Sequence, residues 1–158
     1  MESSIQASQG LKKGISPGHT IELVGASEGA ASYIMTQLAH HALKTTESHV
    51  LYIDLEGHYR LENDQFRRFH LFYGKALLYR LASWLEMHAD IHVGWIFIQA
   101  TSIESSQLAQ LRKLQQKWAF VLVITTNTSL AHFRFQVVET PQLGLRMIWP
   151  IQLDTVVI

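Results

Sequence analysis

Ile21-Glu22-Leu23-Val24-Gly25-Ala26-Ser27-Glu28-Gly29-Ala30-Ala31-Ser32 passes from an alternating, β-prone run through small residues into a helical pattern. His19 to Val24 predicts a first strand, and Gly25 to Gly29 predicts a turn. From Ala30 to Leu43 the apolar residues recur at helical spacing, with Ile34, Leu38 and Ala42 sharing a face with Met35. Upstream, Ser16-Pro17-Gly18 is a turn signal. Residues 1–16 show no apolar period and are expected to form a flexible tail, leaving 17–158 as one domain.

Downstream the pattern alternates. His49 to Leu55 has the length and composition of a buried strand, and Asn63 to Phe69 suits a short helix. A short strand is expected to end at Leu71 or Phe72. Ala76 to His88 predicts a helix, with Leu77, Leu81 and Leu85 at i, i+4 and i+8. Val93 to Ala100 is another strand-length apolar run. Ile103 to Trp118 is a further helix, with Glu104 or Ser102 suited to its N-terminus. Phe120 to Thr125 is the most strand-like segment, followed by Phe133 to Glu139, Leu145 to Trp149 and Val156 to Ile158. Pro141-Gln142 and Gly144 mark turns between these last, shorter strands. The predicted fold is α/β, a mostly parallel central sheet flanked by helices, with short C-terminal antiparallel strands.

Composition narrows the function classes. The chain has 158 residues, with 13 Lys and Arg against 13 Asp and Glu. A balanced charge gives no whole-molecule pull toward nucleic acid or an anionic membrane. The absence of cysteine excludes disulfides, thiolate metal sites and cysteine nucleophiles, and fits a reducing compartment. No apolar run reaches the ~18 residues of a membrane span, and Met1 to Gln9 lacks the apolar core of a secretory signal. A nuclear location is expected, with the cytoplasm as the alternative.

The opening stretch can be laid on the phosphate-binding P-loop pattern G-x-x-x-x-G-K-[ST]. That loop surrounds phosphate with backbone N–H groups, reaches it with lysine and holds Mg²⁺ with a hydroxyl. Gly25 fits the first glycine and Ser32 the hydroxyl, while Ala30 stands for the second glycine and Ala31 for the lysine. Without the lysine a triphosphate loses its main point-charge contact. Glu28 adds a charge that repels phosphate, and Ala30 brings a methyl group where the loop needs a positive φ. Gly29 lies beside these positions in the degenerate loop. By itself the segment is equally an ordinary strand–turn–helix.

A second stretch supplies a family. Tyr52-Ile53-Asp54-Leu55-Glu56-Gly57-His58-Tyr59-Arg60-Leu61-Glu62 resembles the second core strand and following turn of RecA-like recombinases. Eukaryotic strand-exchange proteins carry Tyr-Ile-Asp-Thr-Glu-Gly there, followed by an Arg and a Glu. Gly18 to Gly25 resembles the same family's approach to its P-loop. The likeness is good over about residues 17–62 and weaker through Val93 to Gln99 and Phe120 to Asn127.

The resemblance implies a RecA-like P-loop ATPase core with its chemistry removed. Gln99 stands where active members place an aspartate that orders Mg²⁺. Glu56 matches the water-activating glutamate; with no phosphate site opposite, Glu56 and Asp54 are expected to serve structure. Thr125-Thr126-Asn127 resembles the family's sensor region, and only Thr128 to His132 follows where a long DNA-binding loop is usual. Such short, degenerate chains resemble the recombinase paralogues, including Shu-type complexes, which work beside other paralogues and a SWIM-type zinc-binding subunit. The implied role is non-catalytic: promoting recombinase filament assembly in homologous recombination and DNA repair, with DNA contacted through the complex, and with no cofactor, metal or membrane. Two other readings stay open. One is a RecA-like scaffold in a tRNA-modification complex or a bacterial cell-division inhibitor. The other is a weak nucleotide-binding ATPase using Ser27, Ser32 and Glu56.

Remaining constellations are weaker. Among nine histidines, the adjacent His40 and His41 would point about 100° apart on a helix and cannot easily share an ion. His88 and His92 are spaced i, i+4 but straddle the expected helix end at Asp90-Ile91. Arg67, Arg68, His70, Lys75 and Arg80 are interleaved with Phe66, Phe69, Phe72 and Tyr73, a pattern that suits single-stranded nucleic acid. Of these, Arg67, Arg68 and Lys75 are the candidate nucleic-acid contacts, set against the plainer reading of aromatics in the core. Trp95, Trp118, Trp149 and Phe133 to Phe135 would mark a partner surface if several are exposed.

Overall fold

The computed structural model describes residues 15–25, 27–55, 67–74, 76–125, 131–139, 143–149 and 156–157. The expected tail lies mostly outside these residues, as do Glu56, Lys75, Thr126, Asn127 and most of the helix expected from Asn63.

The chain alternates as its apolar pattern predicts. Strand β1 is Thr20–Val24, helix α1 is Glu28–Thr45 and β2 is His49–Asp54. Next come β3 (Phe69–Tyr73), α2 (Ala76–Met87), β4 (Val93–Gln99), α3 (Ser105–Trp118) and β5 (Val121–Ile124). The last strands are β6 (Phe133–Val138), β7 (Gly144–Trp149) and β8 (Val156–Val157). One expectation needs correcting. Phe69 was assigned to the end of a short helix, but it opens β3 and pairs with Val50.

The strands form one eight-stranded sheet in the order β3-β2-β4-β5-β1-β6-β7-β8. The pairs β2–β3, β2–β4, β4–β5, β1–β5 and β1–β6 are parallel, while β6–β7 and β7–β8 are antiparallel. Strands buried on both faces must be apolar at consecutive positions, and β2 meets this with Val50, Leu51, Tyr52 and Ile53 all buried. The two-residue period then divides them. Val50, Tyr52, Phe97 and Val123 pack with Ile34, Met35 and Leu38 of α1. Leu51, Ile53, Ile98 and Ile124 pack with Leu81 and Leu85 of α2 and Leu111 and Leu114 of α3. Each such side chain, fully buried, contributes about 1.5–3 kcal/mol before entropy is counted.

Local chemistry sets the helix ends. Ser27 caps α1, its hydroxyl accepting from the Ala30 N–H. At the other end Arg68 donates to the carbonyls of Leu43, Thr46 and Ser48, which α1 and the turn after it leave open. Glu104 is the N-cap of α3, as expected, and its N–H donates to the Gln107 side chain. Ala119 ends α3 in the left-handed region. Where β2 meets β4 the register shifts between His49 and Val50, leaving Gly94 as the extra residue of a bulge. A Cβ on Gly94 would lie 2.6 Å from the Ser48 hydroxyl oxygen, so glycine is required there by close approach.

Among the described residues, no helix is long and apolar enough to cross a membrane.

Candidate functional site

The register places the residues of interest at the carboxyl ends of the parallel strands, where open α/β sheets bind their ligands. Tyr52 pairs with Phe97 and Asp54 with Gln99, so all four occupy the sheet face that α1 covers. Ser32, in the first turns of α1, sits above this point. Its hydroxyl donates to Gln99 Oε1 at 2.9 Å, and the Tyr52 hydroxyl donates to the same oxygen at 2.6 Å. Gln99 is 4% exposed and Asp54 is fully buried.

Two positions far apart in sequence, Ser32 laid on the P-loop hydroxyl and Gln99 standing where the resemblance places a lost metal aspartate, are thus in direct contact. The contact is a neutral hydrogen bond. Asp54 holds the following chain through its main chain, its carbonyl accepting from the Gly74 N–H at 2.8 Å. Thr125 joins the ends of β5 and β4, its hydroxyl donating to the Ala100 carbonyl and accepting the Ala100 N–H.

The start of α1 is also committed. The Ala30 N–H goes to Ser27 Oγ and the Ala31 N–H to the Ser27 carbonyl. The Ser27 hydroxyl donates to Glu139 Oε1 at 2.8 Å, and the Ser27 N–H points to Glu139 Oε2 at 3.4 Å. A carboxylate delivered by the end of β6 therefore sits at the positive end of α1, where an anion is favoured. Gly25 adopts a positive φ of 75°, which suits the glycine of a tight turn after β1. Gly29 is exposed, whereas the methyl groups of Ala30 and Ala31 are buried against the protein.

The basic–aromatic stretch divides. Phe69 is in the core, Phe72 packs partly on the second cluster, and Tyr73 is exposed. The Arg68 guanidinium is occupied by three main-chain carbonyls, while Arg67 and Arg80 are exposed to solvent. Of the large aromatics named for a partner surface, those described pack into the protein, while the Trp149 side chain lies outside the described residues. Phe135 is buried, Phe133 and Trp95 pack on the α1 side, and Trp118 packs on the other side. Among the described residues, the exposed large apolar ones are instead Tyr33, Tyr73 and Met87.

An apolar cavity of about 150 Å³ lies between the C-terminal half of α1 and the sheet, bounded by Ile15, Leu23, Leu38, Trp95, Phe135 and Leu145 among others. Among the described residues, no group of three or more His, Asp or Glu could hold a metal ion.

Sequence reasoning singled out Ser32 and Gln99 but missed Tyr52 as their partner and Glu139 as the cap of the α1 terminus. Tyr52 was accessible in principle, because a two-residue step from Asp54 puts it on the same face. Glu139 lies 112 residues from Ser27, and no local signal connects them. No known protein family and no curated protein matches the chain.

Proposed function

We propose that this chain is a non-catalytic, RecA-like subunit of a recombinase-paralogue complex that promotes recombinase filament assembly in homologous recombination and DNA repair. The process rests on the resemblance of Tyr52 to Glu62 to the recombinase core. The loss of chemistry rests on one observation: Ser32 and Gln99 meet at 2.9 Å in a neutral hydrogen bond that Tyr52 completes. A divalent cation between phosphate and protein needs hard, preferably anionic oxygen ligands, and Gln99 brings no charge. The Glu139 carboxylate on the α1 terminus further disfavours a nucleotide phosphate by like-charge repulsion.

In this reading the subunit acts by its surface. One face takes the place of a filament neighbour, and partner paralogues, a SWIM-type zinc-binding subunit and the recombinase supply nucleotide and DNA contacts in the nucleus. Affinity purification from cells is expected to recover other RecA-like chains; recovery of unrelated proteins alone overturns the proposal. Calorimetric titration with ATP and Mg²⁺ is expected to show no binding. A dissociation constant near 1 μM, about −8 kcal/mol, would restore the nucleotide-binding reading.

A further inference from the structure

The C-terminal strands join the rest of the sheet along one seam, where β6 lies beside β1 from Ile21–Phe133 to Val24–Gln136. Polar contacts cross this seam along its whole length. Ser27 meets Glu139 near the carboxyl end, Arg134 meets the buried Glu22 at 3.1 Å in the middle, and His132 meets Thr20 at the amino end.

The His132 contact is reciprocal. Its main-chain N–H donates to the Thr20 carbonyl at 2.9 Å, and its ring Nδ1 accepts the Thr20 N–H at 3.0 Å. The imidazole thus replaces a missing strand residue and extends the ladder one step beyond Ile21 and Phe133. A backbone N–H can only donate, so Nδ1 must carry a lone pair and the ring must be neutral, with its proton on Nε2. Beside it, 4.7 Å away between ring centres, His19 uses its own Nδ1 to accept the Ser16 N–H.

The surroundings oppose a charge on His132. Burial holds its pKa below the usual imidazole value, and His19 and the Arg112 guanidinium on α3 add to the effect. An open polar cavity of about 220 Å³, bounded by Gly18, Arg112, Gln115, Gln116 and His132, brings water to the ring. The titratable side chains facing the ring are therefore His19 from the start of β1 and Arg112 from α3; its nearest charged neighbour on β6, Arg134, is turned to Glu22.

We propose that His132 is an acid-released clasp, latching the amino end of β6 to β1 only while its ring is neutral. Protonation at Nδ1 removes the acceptor and sets one N–H against another. The opening stays local, because Arg134–Glu22 and the packing of Phe135, Val137 and Leu145 hold the seam further along. The sign follows from the depressed pKa. The unfolded chain takes up a proton near about pH 6.5 and the folded chain only at lower pH. The clasp's contribution is complete above that range and is lost as pH falls through the folded value. This device does not depend on the partners or process proposed above.

Amide exchange and histidine NMR on the full chain test it. At about pH 7.5 the His132 Nδ1 should report as unprotonated, and as pH is lowered the ring should charge only below the ordinary imidazole range. Over the same interval, Thr20 amide exchange, corrected for its intrinsic pH dependence, should speed up about tenfold, while that of Val123 in the central β5 holds steady. His132→Asn places an oxygen near the position of Nδ1 and should protect Thr20 across the whole interval. His132→Phe should leave it fast-exchanging throughout. A wild-type Thr20 amide equally protected across the interval, or a His132→Asn variant that responds to acid like the wild type, overturns the clasp. The wild-type measurement decides even where a variant fails to fold.

Discussion

At the carboxyl end of the parallel strands, Ser32 and Tyr52 both donate to one oxygen of Gln99, with the buried Asp54 on the same face and Glu139 at the α1 terminus. At the amino end the connecting side chains are mostly ionisable: Arg68 under the last turn of α1, His49 against His70, and His132 beside His19. The carboxyl end is where an open α/β sheet would receive a ligand. Here Ser32, Tyr52 and Gln99 close on one another with hydrogen bonds between neutral groups. The amino end, usually a plain structural edge, carries His49 and His132, whose burial lowers their pKa.

The largest test of this contrast is Gln99→Leu. It leaves the buried Tyr52 hydroxyl and Ser32 without their shared acceptor, and should cost about 3 kcal/mol in urea denaturation, equally at neutral and mildly acidic pH. A cost that varies with pH would break the contrast with the amino end. Next is Arg68→Ala, which strips three carbonyls of their donor. It should lower stability by about 2 kcal/mol, seen as a reduced Tm, and loosen the last turn of α1 first in amide exchange.

Glu139→Gln keeps the shape of the contact with Ser27 but removes its charge. With both groups exposed, the loss should be only about 0.5 kcal/mol, read from denaturation at low salt. If the variant instead gains measurable affinity for inorganic phosphate, Glu139 is acting as a stand-in for an external anion.

The smallest effect concerns His49, whose ring nitrogen lies 3.0 Å from that of His70. Burial, Arg68 and His92 push its pKa down, and Asp90 offsets them in part. Stability linked to His49 is therefore present above about pH 6.5 and declines as pH falls toward the lower folded value. A histidine titration by NMR that places His49 above the ordinary imidazole range would reverse this sign.

Legibility in the sequence followed the range of the interactions. The alternation at Ile21 to Val24, the continuous apolar run at Val50 to Ile53 and the helical spacing of Ile34 and Leu38 are local, and they marked the strands and helices to within a few residues. Ser32 was singled out by the P-loop outline and Gln99 by the resemblance, each separately, and the structure brings them together. Phe69 was misplaced because a short amphipathic run reads equally well as a helix or an edge strand; its pairing with Val50 decides it. Glu139 on Ser27 and His132 on Thr20 each span 112 residues, so only the folded sheet order could reveal them. The sequence reading did not single out His132, whose contacts with Thr20 appear only in the folded sheet.

The cavity under α1 has a mechanical consequence. A void of about 150 Å³ among apolar side chains is volume that the unfolded chain does not keep. Unfolding should therefore shrink the system, by an amount within the ~20–100 mL/mol range of ordinary domains. Hydrostatic compression would be expected to drive water first into the space between Leu38, Trp95 and Leu145, making that side of the sheet the softer half of the molecule.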